Sequence, residues 1–532
     1  MNTSLLLTLP VVTSLITAFL VYTCQRHSRL INQISVTGAG LNLAFGILLS
    51  HAIITQGPQA VAFGDWAAPF GIIFVADLLS AALVLITTII GLVIVVYSMA
   101  DLASKPSYRL YHMLFHTLLA GVNGAFLTGD LFNLYVWFEV MLISAFGLMI
   151  LDGSREQIDG GVKYVILNLI STLVLLLSIG LLYGATGTLN MADLHIKAAL
   201  MPPEQVRLLA SLFLFAFAIK SALFPVFAWL PASYHTMPSA VVALFAALLT
   251  KVGVYALIRL FTLIFGLQQT GLQPLLLWIA GLTMLIGVLG ATSFYSIKKI
   301  LSFHIISQIG YMMMGLAVYT PLAITGAVFY LIHHIIVKAN LFLIGGILQR
   351  RHGSDELARL GGAYKSMPFL AALFLVPAFS LAGFPPLSGF WGKFFVIKGG
   401  LEAGDYWLSG TALLVSLLTI FSMTKIWAAA FWKPAPDDTL NTASVSKPNA
   451  SLSWWDKQFY YWPVAVLSLL TITIGLAVQP LYKLAESAAD QLLIPDAYLQ
   501  AVLGYSVPGL DRPDLTRPDL TKLDSSSPTV TP

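Results

Sequence analysis

Apolar runs of about 20 residues, the length of a membrane-spanning helix, recur along this chain of 532 residues. Only 10% of the residues are charged, whereas 58% are apolar. A soluble domain has about 25% charged residues, and so few charges cannot cover a surface that faces water throughout. The sequence therefore predicts an all-α polytopic membrane protein and excludes most soluble fold classes.

We count fourteen apolar spans and expect about fourteen transmembrane helices. The spans cover residues 4–23, 31–54, 71–99, 110–128, 131–151, 162–184, 206–230, 239–265, 273–295, 299–318, 321–348, 368–398, 408–432 and 462–484. The single cysteine, Cys24, excludes a disulfide framework, and no motif indicates a cofactor.

The C-terminal tail, residues 485–532, is polar, and its residues 512–521 form a short repeat that contains Pro and Asp. We therefore expect this tail to be disordered.

Basic residues sort the loops into two sets, which predicts the orientation of the chain. Fifteen of the 28 Lys and Arg residues lie in one set of alternate loops. The other set holds only Lys197 and Arg207. The first set is therefore expected on the cytoplasmic side of the membrane, and both termini are expected on the outer side.

A few charged residues lie within the spans, where a charge costs on the order of 2.5–3.5 kcal/mol at the bilayer centre. Such residues usually face a bundle interior and mark an ion or proton path. We predict a proton relay of acidic, basic and histidine side chains, since histidine titrates near neutral pH. Its members are Glu139, Lys220, Lys251, His333, His334, Lys338 and Lys393.

Other charged or titratable residues have simpler explanations beside a functional one. Asp77 could meet the outer interface, and Asp130 could cap a helix N-terminus. His304 could be hydrogen-bonded to the backbone, and Arg259 could form a structural ion pair. Lys398 and Lys425 could extend from span ends into the interface; Asp77, Asp130 and His304 remain weaker members of the relay.

Two spans contain similar proline interruptions, one near residues 220–231 and one near 381–393. Each has Phe-Pro, a nearby Trp and a Lys, and such breaks in two halves of a transporter indicate its ion site. The breaks lie five spans apart, and an odd number of spans inverts one repeat relative to the other. We therefore predict two inverted five-helix repeats, at residues 110–265 and 273–432. Three helices in residues 1–109 precede them, and a loop with a final helix in residues 433–484 follows.

Several long motifs resemble the antiporter-type subunits of respiratory complex I, membrane hydrogenases and Mrp-type cation/proton antiporters. These motifs are residues 129–140 (GDLFNLYVWFEV), 220–225 (KSALFP), 229–235 (WLPASYH) and 249–255 (LTKVGVY). Residues 182–194 (LYGATGTLNMADL) and 302–311 (SFHIISQIGY) look most like the D subunits of Mrp antiporters. The resemblance extends over roughly residues 1–485.

This resemblance implies a fold of fourteen helices in which helices 7 and 12 are broken. It implies that Glu139, Lys220, Lys251 and Lys393 belong to the proton path, with Lys338 and His333 or His334 at the bridging position. It also implies a Mrp-type complex, with the A, B, C, E, F and G subunits as partners, which exchanges Na⁺ for protons.

Two alternatives to a Na⁺/H⁺ antiporter subunit stay open. The chain could be a proton-pumping subunit of NADH:quinone oxidoreductase or of a membrane hydrogenase, driven by electron transfer in partner subunits. It could also be a scaffold, although buried lysines argue against that function because a scaffold has no use for them. The sequence does not identify a sodium site, and it does not decide between Na⁺ and K⁺.

Overall fold

The computed structural model describes residues 3–24, 27–66, 68–102, 105, 107–435 and 454–504. This part of the chain is almost entirely helical, with one small two-stranded sheet. The all-α fold class is therefore confirmed. Residues 505–532, which include the repeat at 512–521, lie outside the described residues.

The N-terminal unit consists of three long helices with a β-hairpin before the third. Its elements are α1 (Thr3–Thr23), α2 (Ser28–Gln56), β1 (Gln59–Ala62), β2 (Ile73–Ala76) and α3 (Leu78–Asp101). The two strands pair antiparallel, with Gln59 opposite Ala76.

The middle of the chain contains the two interrupted spans. Its first part consists of α4 (Tyr108–Leu127), α5 (Leu131–Met149), α6 (Arg155–Thr186), α7 (Met191–Ala199), α8 (Pro203–Lys220), α9 (Trp229–Tyr234) and α10 (Ser239–Arg259). Its second part consists of α11 (Leu267–Thr270), α12 (Gln273–Ser293), α13 (Ile297–Val318), α14 (Pro321–His352), α15 (Ala363–Ser366), α16 (Pro368–Ala382), α17 (Ser388–Glu402) and α18 (Tyr406–Trp427). The chain then continues with α19 (Trp454–Leu476), α20 (Val478–Leu493) and α21 (Asp496–Leu503).

Twelve helices in the described ranges are long and apolar enough to cross a membrane. The predicted spans 206–230 and 368–398 are each present as two shorter helices separated by a break. Fourteen crossings follow if each interrupted pair crosses once, and that total stays a prediction.

The two breaks have the same local hydrogen bonding. In the first, the Leu223 amide donates to the Ala218 carbonyl over 2.9 Å; in the second, the Phe384 amide donates to the Phe379 carbonyl over 3.0 Å. A proline follows within two residues in both, and a proline has no N–H with which to continue a helix. The likeness of the breaks supports the repeat hypothesis, and the inversion of the repeats stays a prediction.

The centre of the molecule is formed by α10 and α14. Every residue of α10 is buried, and so is α14 from Ala323 to Leu348. These two helices pack against each other and carry four of the predicted relay residues. The fold therefore places titratable groups where lipid and water have no direct access.

The third predicted span, 71–99, is wrong at its beginning. Residues 73–76 form β2, and the helix starts at Leu78 because Asp77 caps it. The Asp77 carboxylate accepts the Ser80 amide at 2.9 Å, so this acid ends the strand and starts the helix.

The C-terminal prediction also needs correction. The last span is α19, which ends at Leu476 rather than 484, and residues 485–503 of the expected disordered tail are largely helical. Ala485, Ala489 and Leu492 are buried along one face of α20, which is the spacing of an amphipathic helix. This apolar stripe outweighs the polar composition of the segment.

Asp77 and Arg259 form a buried ion pair, with 2.6 Å between Oδ2 and Nη1. The C-terminal helices cover it: the ring of Tyr498 lies 5.3 Å from the Arg259 guanidinium, and Gln491 accepts the Leu78 amide at 3.1 Å. The structural pairing expected as one possibility for Arg259 is therefore confirmed.

We predict that Arg259→Met lowers the thermal stability of the purified protein strongly, because it leaves Asp77 buried and unpaired, at a cost of about 3–5 kcal/mol. The double variant Asp77→Asn with Arg259→Met should lose less than the two single losses added. Lys398→Met is the matched control, since the Lys398–Glu402 pair is exposed and spans 3.6 Å. Equal melting temperatures for Arg259→Met and Lys398→Met would contradict this account.

Candidate functional site

Glu139 and Lys220 are joined through a threonine hydroxyl. Thr172 on α6 donates to Glu139 Oε1 on α5 over 2.8 Å, and Lys220 Nζ donates to the same hydroxyl oxygen over 3.2 Å. Lys220 Nζ also lies 4.8 Å from the centre of the Phe138 ring. One carboxylate and one ammonium thus share a single hydroxyl.

The break in the seventh predicted span positions Lys220. This lysine is the last residue of α8, and the Trp229 indole after the break donates to the Ile219 carbonyl at 2.9 Å. A cavity of about 20 Å³ lies beside Lys220 and is lined also by Asn168, Tyr164 and Leu249. A volume of this size holds about one water molecule.

Helix α10 passes directly beside the break. A Cβ atom on Gly253 would lie 2.5 Å from Ser221 Oγ, so only glycine permits this approach. The hydroxyls of Ser221 and Thr250 are buried without a hydrogen-bond partner among the described groups. They are the chain neighbours of Lys220 and Lys251, and they add polar groups to the contact between α8 and α10.

The second group of relay residues lies where α10 packs against α14. Lys251 Nζ donates to the Ala246 carbonyl, and Lys338 Nζ donates to the Leu301 carbonyl over 3.1 Å. His334 lies close enough to Lys251 and Lys338 to interact with their charges. Neither of its ring nitrogens has a partner among the described groups.

The third group surrounds the second break. Lys393 on α17 donates to Ser416 Oγ over 3.1 Å and to the Ala382 carbonyl over 3.3 Å. Ala382 is the last residue of α16, so this lysine reaches back to the break from its far side. Its Nζ lies 4.6 Å from the centre of the Tyr311 ring.

The other two predicted histidines, His333 and His304, are hydrogen-bonded to serines near these lysines. His333 Nδ1 lies 2.8 Å from Ser388 Oγ, and His304 Nε2 lies 2.9 Å from Ser422 Oγ. His304 is also within electrostatic range of Lys338 and Lys393.

Asp77 and Asp130, the two other acids among the predicted residues, lie apart from these three groups. Asp77 caps α3 and pairs with Arg259. Asp130 caps α5, where its carboxylate accepts the Asn133 amide at 2.8 Å; burial raises the pKa of this carboxyl, while backbone hydrogen bonds lower it. Both local roles are structural.

Most of the predicted residues, together with Thr172, thus lie on a series of six helices. Neighbouring helices in this series pack together in the order α5, α6, α8, α10, α14 and α17. Along it lie Glu139, Thr172, Lys220, Lys251, His334, Lys338, His333 and Lys393. We call this set the lysine row; Glu139 is its one carboxylate among the described residues.

The sequence did not indicate which hydroxyl groups lie beside the predicted residues. Thr172, Ser388, Ser416 and Ser422 all contact a predicted residue. Threonine and serine are common in membrane helices, and a single sequence does not indicate which of them faces a charged neighbour.

Lys398 and Lys425 lie outside the row, as expected for residues near span ends. Lys425 donates to the carbonyls of Thr292 and Phe294. Lys298 is one of the fifteen basic residues of the loops that are expected on the cytoplasmic side. It is buried in the first turn of α13 and donates to the Met237 carbonyl at 2.7 Å.

Comparison with known proteins gives a consistent result. Residues 128–419 match the family model described as NADH:quinone oxidoreductase/Mrp antiporter, TM. The D subunit of the Na⁺/H⁺ antiporter of Alkalihalophilus pseudofirmus is 43% identical over 91% of this chain and 96% of its own length.

Solved structures agree with that relative. A chain of the Mrp complex from Dietzia sp. superposes with a TM-score of 0.88 at 35% identity, covering 95% of this chain and 100% of its own. A chain of respiratory complex I from Thermus thermophilus gives a TM-score of 0.74 at 27% identity, covering 92% of this chain and 99% of its own.

The matched model covers more than half of the chain, and the relative is aligned over nearly its full length. The resemblance expected from the motifs is therefore confirmed, and the chain belongs to the membrane-subunit family shared by NADH:quinone oxidoreductase and Mrp antiporters, on the side of the Mrp D subunits.

Proposed function

We propose that this chain is the proton-translocating subunit of a multi-subunit Na⁺/H⁺ antiporter, and that protons move along the lysine row. The observation that carries the proposal is the Glu139–Thr172–Lys220 bridge. It joins the row's carboxylate to its first lysine by hydrogen bonds of 2.8 and 3.2 Å. Proton entry would drive the export of Na⁺, and the cation path itself is left unassigned.

The charges of the row supply a mechanism. Lys220, Lys251, Lys338 and Lys393 are all buried. If all four were charged, their ammonium groups would repel one another, and the single carboxylate could balance only one of them. A proton that arrives on one lysine therefore favours the departure of a proton from the next. When Glu139 takes a proton, Lys220 loses its counter-charge, and the change is passed towards Lys251.

Histidine and hydroxyl groups complete the path between the lysines. On this proposal His334, which the charges of Lys251 and Lys338 reach, passes protons between these two lysines. His333, hydrogen-bonded to Ser388, passes them on to Lys393. Imidazole both accepts and donates a proton near neutral pH. A hydroxyl does the same within one hydrogen-bonded chain, as Thr172 does between Glu139 and Lys220.

The alternative is a proton-pumping subunit of a redox complex. The same row would serve it, with the driving force coming from electron transfer in partner chains. The higher identity to an antiporter protein, 43% against 27% for the complex I chain, favours the antiporter. On this proposal the partners are the A, B, C, E, F and G subunits, in a bacterial inner membrane with both termini outside.

We predict that Glu139→Gln abolishes Na⁺-dependent proton uptake by the assembled complex in proteoliposomes, since an amide cannot take up the proton. Lys338→Met should do the same, because it removes the amine between His334 and Lys393. Proton uptake is measured with a pH-sensitive dye after a Na⁺ pulse.

Glu156→Gln and Lys398→Met are the matched controls for these variants. Both residues are exposed, and both controls should transport like the parent complex. Full transport by Glu139→Gln in a complex of normal subunit composition would overturn the proposal.

We also predict that Thr172→Val slows transport by about tenfold, because a hydrogen bond to a charged group is worth roughly 1.5–3 kcal/mol. Thr172→Ser keeps the hydroxyl and should retain most of the rate. The initial rate of proton uptake per assembled complex is the measurement. If valine and serine variants transport equally fast, the hydroxyl has no part in the transfer.

A further inference from the structure

Two buried histidines outside the lysine row share one serine hydroxyl. Ser35 Oγ on α2 lies 2.8 Å from His112 Nδ1 and 2.7 Å from His116 Nε2, both on α4. All three side chains are at most 1% exposed. His112 and His116 are four residues apart and therefore share one face of their helix.

The geometry of this cluster fixes the hydrogens it holds. A serine hydroxyl carries one hydrogen, so it can donate to only one of the two rings and must accept an N–H from the other. The three groups therefore form a directed chain from one imidazole through the hydroxyl to the second imidazole. One interhelical hydrogen bond would be enough to help hold α2 against α4, whereas this cluster has two that share one hydroxyl.

The cluster is connected to one end of the bundle. One turn nearer the start of α4, the Tyr108 hydroxyl donates to Asn32 Oδ1 over 2.6 Å, and Asn32 is half-buried. The Tyr108 ring stands edge-on to His112, with 4.6 Å between the ring centres. Tyr108 and Asn32 thus lie between the α4 entry, which is predicted to be cytoplasmic, and His112.

Polar groups continue beyond the cluster along the contact of α1, α2 and α4. Asn42 Nδ2 donates to Ser14 Oγ over 2.7 Å, and Ser14 donates to the Pro10 carbonyl over 2.9 Å. Asn123 Nδ2 reaches the same carbonyl at 3.4 Å. The amide oxygens of Asn42 and Asn123 and the Nε2 atom of His112 are buried without partners among the described groups.

Few other charges face the cluster. Helix α1 has no charged residue. Helix α2, which carries Ser35, has only Arg29 and the exposed His51, and α3 has only Asp101. The titratable neighbours on α4 itself are Tyr108 and Tyr111, whose rings both contact His112. Helices α5 and α10 also pack against α4 and carry Glu139, Lys251 and Arg259.

We propose that Ser35, His112 and His116 form a second proton-binding site, separate from the lysine row, in which protons pass between the two imidazoles through the serine hydroxyl. A proton that binds His112 Nε2 makes that ring a cation. The Nδ1 proton then passes to Ser35 Oγ while the hydroxyl proton passes to His116 Nε2. The positive charge moves from one ring to the other, and His116 releases its Nδ1 proton. His112 is then the Nε2–H tautomer and the serine hydroxyl points towards it, so both rings and the hydroxyl must return to their first arrangement before the next proton is carried.

The assay for this second site depends on the proposed transport function. The variants are therefore chosen so that a failure of the second site can be told apart from a failure of the lysine row. His112→Gln and His116→Gln keep a hydrogen-bonding side chain but cannot carry a proton. Ser35→Thr keeps the hydroxyl, and Ser35→Ala removes it. His51→Gln is the matched control, because His51 lies on the same helix as Ser35 and is exposed.

The experiment measures Na⁺-dependent proton uptake by the reconstituted complex across a range of pH, together with its subunit composition and melting temperature. We expect His112→Gln, His116→Gln and Ser35→Ala to lower uptake at least about tenfold, in line with the loss of one proton-transferring group. Their pH profiles should change shape, while Ser35→Thr and His51→Gln follow the parent.

Parental rates and pH profiles in both glutamine variants would overturn the second site. So would a drop confined to assembly or melting temperature, since this would show a structural cluster. Glu139→Gln is assayed in parallel. If it is inactive while the histidine variants transport normally, only the second site fails; if it is active, the lysine row fails independently.

Discussion

The cost of burying charge in an apolar bundle is the constraint on which this structure depends. Each charged group inside must meet a partner, and the chain provides three kinds. Asp77 and Arg259 pair directly at 2.6 Å and hold the C-terminal helices in place. Glu139 and Lys220 meet through the Thr172 hydroxyl rather than directly. The remaining lysines meet backbone carbonyls and hydroxyls. This difference in partners is the reason why we propose that the lysine row, and not the Asp77–Arg259 pair, carries protons.

Much of the fold follows from sequence pattern because the bilayer fixes helix length and proline fixes the breaks. The interruptions at Pro225 and at Pro385–Pro386 were therefore predictable to within a few residues. The β-hairpin before α3 and the helices after α19 were not, since a short apolar strand has no period that distinguishes it from a helix. The amphipathic stripe of α20 was masked by its polar composition, although its spacing of buried alanines is visible afterwards.

The candidate site, like the fold, could be predicted from the sequence only in part. Lys251, Lys338 and Glu139 were identified because a charge in an apolar span is rare. The hydroxyls of Thr172 and Ser416 were not, because their importance depends on which neighbour they face in three dimensions. The Ser35–His112–His116 cluster shows this most clearly. Its histidines lie four residues apart in the sequence, but Ser35 is brought to them only by the packing of α2 against α4.

The central claim is that Glu139 takes up and releases the proton of the lysine row. Infrared difference spectra of the purified complex, recorded between acidic and alkaline pH, test it most directly through the carbonyl stretch of a protonated carboxyl group. The account predicts a band that appears at acidic pH, is missing in Glu139→Gln and shifts in Thr172→Val, where its hydrogen bond is lost. A band that is unchanged in Glu139→Gln would contradict the claim.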